Sequence, residues 1–481
     1  MSDPAYRRRL LVLAVCCMSL LIAGLDVTAV NVALPAIAHD LTASVSGLQW
    51  TIDAYTLPVA AFLMLAGSTA DRIGRRRVFQ IGLALFTAGS LACSLAPNLA
   101  WLVAFRVVQG LGASMLNPVA LSILTTTFTD PRERTRAIGV WSGTIGLSLA
   151  LGPVVGGLLV ASAGWRSVFW INIPLGLAAI ALTGLFVAES RAPITRRPDP
   201  VGQLLVIAAL VAVTTAVIEG SRHGYGSPTI IGLFALGAAA VVALVGYERR
   251  RDQPLIDPSF FRSIPFAGAT VTAVAAFVAL AGFLFLNTLY LQDVLGYSAL
   301  HAGLLTVPMA AAAAIASPIS GRLTARSGAR PPLVGAGILL TVAAILLTTV
   351  TPTTPLPVLL VAYTLFGTGF GLVNTPITNA AVSGMPRSQA GVSAAIASTG
   401  RQIGNSLGVA VLGAIVTAHG PEHGGFAEAS RLGWWIIAGC GAVVVALGVL
   451  TTTGRANASA ARIAARFSPG QQVERQVGAV A

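Results

Sequence analysis

The chain has 481 residues, of which 55% are hydrophobic and only 10% are charged. Soluble domains carry about 25% charged residues, so this composition excludes a soluble globular protein and predicts a membrane protein with many spans. The net charge of +13 would suggest a nucleic-acid partner in a soluble protein. Here we assign it to membrane topology, because basic residues collect in cytoplasmic loops, and we expect no nucleic-acid partner.

Hydropathy predicts fourteen spans, each long enough to cross a bilayer. The first follows Arg7-Arg8-Arg9 and continues to about Leu34 without a clear signal-peptide cleavage site, so we expect it to be retained. The predicted spans cover residues 10–34, 48–70, 78–96, 100–125, 137–161, 167–188, 200–220, 229–247, 264–290, 301–321, 332–350, 356–382, 389–417 and 433–453.

The positions of the arginines support this number of spans. With fourteen spans, nearly all loop arginines fall on one face, and only Arg166, Arg222 and Arg431 fall on the other. Positive charge marks the cytoplasmic side, so we expect a multi-pass protein of the cytoplasmic membrane with both termini inside the cell. The four cysteines lie in apolar runs and the five histidines are scattered, so we expect neither a disulfide nor a metal site.

A charged loop between the second and third predicted spans returns 254 residues later in the chain. The matching positions are Gly67, Arg72, Gly74 and Arg76 in the first copy and Gly321, Arg326, Gly328 and Arg330 in the second. We therefore predict two parallel six-helix repeats, with the helices at 200–220 and 229–247 inserted between them. In transporters built this way, the substrate binds near the midplane between the halves.

The predicted organisation has four parts. An N-terminal six-helix bundle covers residues 1–190, and an inserted helix pair with cytoplasmic crossover loops covers 191–262. A C-terminal six-helix bundle covers 263–454, and a cytoplasmic tail covers 455–481.

Several motifs resemble the major facilitator superfamily and, within it, the fourteen-span drug:proton antiporters of the EmrB/QacA kind. They are the loop at 67–77, the first-span run at 25–35, the fourth-span run at 106–113, and Gly152-Pro153 with Gly156-Gly157 in the fifth span. Ser148 stands where the fifth-span pattern has glycine. The resemblance implies an all-α major facilitator fold and efflux coupled to protons.

Charged side chains within the spans are our candidates for proton coupling: Asp26, Arg106 and Asp53. A charge at that depth costs several kcal/mol, so such residues are functional candidates by default. Asp26 is either the coupling carboxyl or a structural acid hydrogen-bonded to Asn31 or Thr28. Arg106 keeps its proton and needs an acceptor, but the sequence leaves open whether Asp26 provides it. Asp53 is either a proton or substrate site or an acid in contact with interfacial water.

Two further groups of residues are predicted to act in transport. Polar residues expected to line the substrate cavity are Asn31, Tyr55, Gln109, Asn117, Asn374, Arg401 and Asn405. The resemblance implies gating or conformational roles for Gly67, Asp71, Arg72, Gly74, Arg75, Gly152, Pro153, Gly156 and Gly157.

The resemblance also implies a latch at the cytoplasmic end, in which Asp71 contacts the start of the thirteenth span near Gly391. Ala325 takes the place of Asp71 in the second copy of the loop, so we expect asymmetric gating contacts. The alternatives are that the loop only sets topology and that the fifth-span glycines only allow close helix packing.

We therefore expect a monomeric, proton-driven exporter of small amphipathic organic compounds such as drugs, antibiotics or dyes. No phosphate-binding loop of the Walker type is present, so we expect no cofactor beyond the proton gradient. One alternative is a dedicated exporter or a proton-coupled importer of a single metabolite. A membrane-embedded enzyme is disfavoured because clustered His, Asp or Ser at the membrane surface is lacking, and a receptor without flux is disfavoured by the repeat.

Overall fold

The computed structural model describes residues 4–192, 199–251, 257–382, 390–418 and 425–466, and all regular elements in these ranges are helical. The first half contains α1 (Pro4–Asp40), α2 (Val45–Ile73), α3 (Arg75–Ser94), α4 (Leu99–Thr127), α5 (Pro131–Ala163), α6 (Ser167–Trp170) and α7 (Asn172–Phe186). The inserted pair is α8 (Pro200–His223) and α9 (Pro228–Glu248).

The second half follows a 3-10 helix at Pro258–Arg262. It contains α10 (Ile264–Leu289), a π-helical turn (Tyr290–Val294), α11 (Ala299–Leu305), α12 (Val307–Ser327), α13 (Arg330–Leu347), α14 (Leu356–Val382), α15 (Ala390–Ala418) and α16 (Gly425–Leu450). The last described helix is α17 (Gly454–Arg466).

Short polar residues before the helices fix where many of them begin. The Ser44 hydroxyl accepts from the Gly47 amide at the start of α2, and the Asn98 side chain accepts from Trp101 at the start of α4. Asp130 accepts from two amides at the start of α5. Such caps satisfy amides that have no partner within the helix, so tight connections between the spans are stable.

Thirteen described helical segments are long and apolar enough to cross a membrane. They correspond to every predicted span except the thirteenth. That segment forms α15, a helix of 29 residues that packs against α10 and α2 within the bundle. Arg401, Gln402 and Asn405 reduce its apolar character. The predicted all-α, multi-span fold is thus confirmed, and the thirteenth predicted span is a long helix packed within the bundle.

The two halves pack their helices in the same order. In the first half, α1 packs against α5, and both α2 and α3 pack against α4. In the second half, α10 packs against α15, and both α12 and α13 pack against α14. This equivalence confirms the predicted six-helix repeats. The exact domain boundaries stay predictions.

The inserted helix α8 touches both halves, through α2 and α15, whereas α9 packs on α8. The Gln203 amide donates to the Ala61 carbonyl at 2.6 Å, and the Trp50 indole donates to Glu219 at 2.9 Å. Hydropathy predicts the two helices but gives no role for them. The structure shows that α8 bridges the two bundles.

Candidate transport cavity and buried charge network

A cavity of about 1500 Å³ lies between the two halves. Its walls come from α1, α2, α4 and α5 on one side and from α10, α12, α14 and α15 on the other, and most of the lining side chains are apolar. The repeat therefore places one large space between equivalent helices of the two bundles, where the sequence predicts substrate binding.

Among the described residues, the cavity lining reaches one end of the bundle. It extends to Gly67, Asp71 and Thr125 of the first half and to Gly321 and Ala325 of the second. These residues lie in or beside the two arginine loops, and we call this end the arginine-rich end. The structure is thus open toward the arginine-rich end.

Direct contacts between the halves close the opposite end, and we call this set of contacts the closed seam. The Gln49 amide donates to the carbonyls of Val409 and Ala410 at 3.2 and 2.6 Å. The Gln292 amide donates to the Val32 carbonyl at 2.8 Å. Side-chain amides from both halves therefore hold α2 against α15 and the end of α10 against α1.

The fifth-helix glycines lie along α1 and at the closed seam. A side chain at Gly152 would overlap Thr28, and one at Gly156 would overlap Ala29, both on α1. A side chain at Gly157 would overlap the backbone of Ala299 on α11. Gly303 of α11 in turn packs on the Pro153 carbonyl, so a glycine from each of the two helices lies in this contact. This motif therefore allows close approach both within the first half and between the halves.

A buried charge network joins α1, α2, α4 and α7 of the first half. The Arg106 guanidinium donates to Asp26 at 2.5 Å, and each of these side chains is about 1% exposed or less. The amides of Gln109 and Asn172 also donate to Asp26, at 2.7 and 2.9 Å. Arg106 makes further bonds to Gln109 and to the Thr51 carbonyl. The carboxylate thus receives three donors, so its charge is fully compensated.

The structure answers the question of which residue partners Asp26. The Asp26 carboxylate accepts a hydrogen bond from Arg106. The alternative, in which Asp26 is hydrogen-bonded to Asn31 or Thr28, is wrong. Those two side chains donate to carbonyls of their own helix instead, at Val27 and Gly24 respectively.

Sequence reasoning missed two members of the network. Asn172 bonds to Asp26, and Ser90 accepts from Gln109 at 2.7 Å. The signal for Asn172 was an amide inside an otherwise apolar predicted span. Ser90 gave no comparable signal, because serine is common in such helices.

Asp53 has a different environment. It is fully buried, so the alternative of an acid in contact with interfacial water is wrong. The Thr56 hydroxyl donates to one carboxyl oxygen at 3.0 Å, while the other oxygen has no hydrogen-bond partner among the described residues. The Ser406 hydroxyl of α15 lies beside this carboxyl and is 3.4 Å from the Thr214 hydroxyl of α8. Asp53 therefore lies where both halves meet the inserted helix.

Six of the predicted cavity residues line the cavity: Asn31, Tyr55 and Asn117 from the first half, and Asn374, Arg401 and Asn405 from the second. Gln109 lies behind the wall, fully buried in the charge network. The Arg106 guanidinium lies over the Tyr55 ring, 4.3 Å from its centre. Tyr55 thus separates the network from the cavity.

The first arginine loop is held to the chain that follows α7. Gly74 has φ of +126°, and its backbone position leaves no room for a side chain beside Glu189. Glu189 accepts from the Arg76 amide at 3.1 Å. Asp71 pairs with Arg75 at 2.8 Å, while Arg72 is exposed. The predicted latch from Asp71 to α15 near Gly391 concerns the state in which this end is closed, and it stays a prediction.

Comparison with known proteins identifies the relatives of this chain. It is 40% identical over 412 residues to the multidrug resistance protein Stp of Mycobacterium tuberculosis, which covers 86% of this chain and 76% of Stp. It is 36% identical over 408 residues to the tetracenomycin C resistance and export protein of Streptomyces glaucescens, covering 83% of this chain and 74% of that protein.

A solved structure gives the same fold. It is a bacterial homologue of the human lysosomal transporter Spinster in an inward-facing, unoccupied conformation, with a TM-score of 0.64 at 20% identity over 98% of this chain and 100% of that chain. Residues 16–409 match the sequence profile described as Major Facilitator Superfamily. The chain therefore belongs to the major facilitator superfamily and is a multi-pass membrane transporter.

Proposed function

We propose that the protein exports amphipathic organic compounds across the cytoplasmic membrane in exchange for protons, as a member of the fourteen-span drug:proton antiporters. The observation that carries this proposal is the largely apolar cavity between the halves, beside a buried acid–arginine pair. Drug-sized ligands occupy pockets of about 300–1,000 Å³, so a cavity of about 1500 Å³ accepts one such molecule with water. Relatives named for multidrug resistance and for tetracenomycin C export support the direction of transport.

The Asp26 network is suited to sensing the conformation of the first half. Its donors come from α4 and α7, so relative movement of these helices and α1 changes the number of donors to the carboxylate. Hydrogen bonds and a cation both favour the charged form of a carboxylate. We therefore assign the proton-coupling role to Asp26, because movement that withdraws Arg106 or the amides would leave its buried carboxylate uncompensated.

Asp53 is suited to a second role at the closed seam. A buried carboxylate without a cation is costly as an anion, so closure of α2, α8 and α15 around Asp53 favours its neutral form. A proton taken up from the outside would allow the seam to close. Its loss through the cavity would weaken the seam and permit opening to the outside, as antiport requires. Thr56, the hydrogen-bond donor to Asp53, lines the cavity and provides the route.

In this proposal the arginine-rich end and both termini face the cytoplasm, the chain works as a monomer, and the proton gradient is the energy source. Alternating access would come from rocking of one half against the other. Export of several unrelated compounds would support multidrug efflux, whereas export of one compound class would indicate a dedicated exporter.

The decisive experiment measures gradient-driven accumulation of a fluorescent substrate panel in inverted membrane vesicles. Wild type, Asp26→Asn and Asp53→Asn are compared with Glu428→Gln, a change at an exposed acid in the first turn of α16. We expect both buried-acid variants to bind dye without accumulating it, and the control to behave as wild type. Normal accumulation by Asp26→Asn would assign it a structural role, and the absence of accumulation by wild type would contradict export.

A further inference from the structure

Arg401 is a cavity residue whose charge has no counterpart within the described part of the chain. Its guanidinium donates to the hydroxyls of Thr378 and Ser398, at 2.6 and 3.3 Å, and its Nε has no partner there. A guanidinium carries five N–H donors. Both partners are neutral hydroxyls, so the guanidinium charge that lines the cavity is not balanced by a carboxylate among the described residues.

The other arginine within the spans shows that this arrangement is not general. Arg106 is buried, pairs with Asp26 and bonds to Gln109 behind the wall. Arg106 therefore presents no net charge to the cavity. Arg401 presents a full positive charge.

The carboxylates that line the cavity lie away from Arg401, at the arginine-rich end, and each has its own arginine. Asp71 pairs with Arg75 at 2.8 Å, and Asp199, at the start of α8, lies 3.6 Å from Arg251. The middle of the cavity is thus positive. An apolar wall strengthens such a field, because low-dielectric surroundings screen it less than water does.

The two walls of the cavity differ in chemistry. Around Arg401 the second half contributes amide side chains from Asn374, Gln402 and Asn405. The first half contributes Asn31 and Asn117 together with many aliphatic side chains, among them Val27 and Leu63, but it places no arginine in the cavity lining. A molecule between these walls would place an acceptor-rich group on one side and an apolar body on the other.

We infer that the preferred substrates are amphipathic organic acids whose carboxylate or phenolate is bound by Arg401 while their ring system contacts the first half. This inference rests on the proposed export function and specifies its substrate class. A site for organic cations would instead expose a carboxylate without a cation, and the described cavity wall exposes none in its middle.

The test is a fluorescence titration of the purified protein in lipid nanodiscs with three probes that share one ring and chain: pyrenebutyrate, pyrenebutanol and pyrenebutylammonium. Empty nanodiscs correct for partition into lipid. Because a charge-assisted bond in a largely apolar site is worth about tenfold in affinity or more, we expect wild type to bind pyrenebutyrate about tenfold more tightly than the other probes.

Variants of Arg401 show whether the preference for pyrenebutyrate comes from the charge of this residue or from the folded state of the protein. Arg401→Gln should lose most of the preference for pyrenebutyrate while keeping its affinity for pyrenebutanol, which also shows that the variant is folded. Arg401→Lys should keep part of the preference. Arg455→Gln, on the exposed face of α17, is the matched control and should bind as wild type.

Equal binding of the three probes by wild type, or a preference for the ammonium probe, would overturn the inference. So would an unchanged preference in Arg401→Gln. If wild type binds none of the probes and still accumulates dyes in vesicles, the substrate class is wrong and export stands. If vesicle accumulation is also absent, the export proposal itself fails.

Discussion

Equivalent helices of the two halves meet through different chemistry. In the first half, α1 and α4 are joined by Asp26 and Arg106, a buried ion pair. In the second half, the equivalent α10 and α14 are joined by Asn287 and Tyr363, whose hydroxyl donates to the amide oxygen. Both pairs are buried, so the same contact is charged in one half and neutral in the other.

The side chains packed around the two pairs also differ between the halves. In the second half, the Phe283 ring packs against Tyr363 and stacks on Phe366, with centres 5.4 and 4.4 Å apart. In the first half, the amides of Gln109 and Asn172 donate to Asp26, and the Tyr55 ring lies against Arg106. The neutral pair of the second half is thus packed among aromatic rings, whereas the pair of the first half carries opposite charges and receives further amide donors. Under the proposals above, proton coupling would belong to the charged pair of the first half, and recognition of substrate charge to Arg401 of the second.

The largest expected effect on stability comes from removing one partner of the charged pair and keeping the other. Arg106→Gln leaves Asp26 buried without its cation, which costs about 3–5 kcal/mol of stability when a buried pair is broken. Tyr363→Phe removes a neutral hydrogen bond and should cost about 1 kcal/mol. Thermal unfolding in detergent compares the two variants directly.

The double variant Asp26→Asn with Arg106→Gln sharpens this test. It removes both charges, so we expect most of the stability to return while gradient-driven accumulation stays absent. Equal losses of thermal stability in Arg106→Gln and Tyr363→Phe would show that the charged and neutral contacts contribute alike. This would contradict the difference between the two halves described above.

A smaller effect is expected where the halves are alike. Gly156 packs on Ala29 of α1, and Gly408 of α15 packs on the Val278 carbonyl of α10. Alanine at either position overpacks the helix contact, which costs about 1–3 kcal/mol. Gly143 is the control, because no atom lies within 4 Å of an added Cβ there. Gly143→Ala should keep or raise the unfolding temperature.

Gly157 adds a functional measurement to this series, because it packs across the halves on α11. Gly157→Ala should weaken the closed seam and increase labelling of a cysteine placed at that end of the cavity, whereas Gly143→Ala should not. Unchanged labelling in Gly157→Ala would contradict the role of the fifth-helix motif in closing the seam.

The spans, the repeat and the fold follow from local or periodic features: apolar length, loop arginines and glycines at a fixed offset. The partner of Asp26 does not, because it depends on how α1 packs against α4. The burial of Asp53 likewise depends on α8 and α15, which are distant in sequence. Gln109 is different. It lies three residues after Arg106, so both face the same side of a helix, and this spacing favours the network over the cavity wall.

The smallest effect on stability is expected at the arginine-rich end, where the two loop copies differ. The Asp71–Arg75 pair is partly exposed, and such pairs contribute about 0–1 kcal/mol, so Asp71→Asn should barely change unfolding. If Asp71 latches this end when it closes, the same variant should still slow export, by about fivefold for each 1 kcal/mol taken from the closed state. Ala325→Asp supplies the missing carboxylate in the second copy of the loop and should favour closure of this end. Closure is measured as slower labelling of a cysteine placed at Thr324, which lines the cavity. Normal export by Asp71→Asn together with unchanged labelling in Ala325→Asp would show that the loops set topology and that the asymmetry between the halves is confined to their buried contacts.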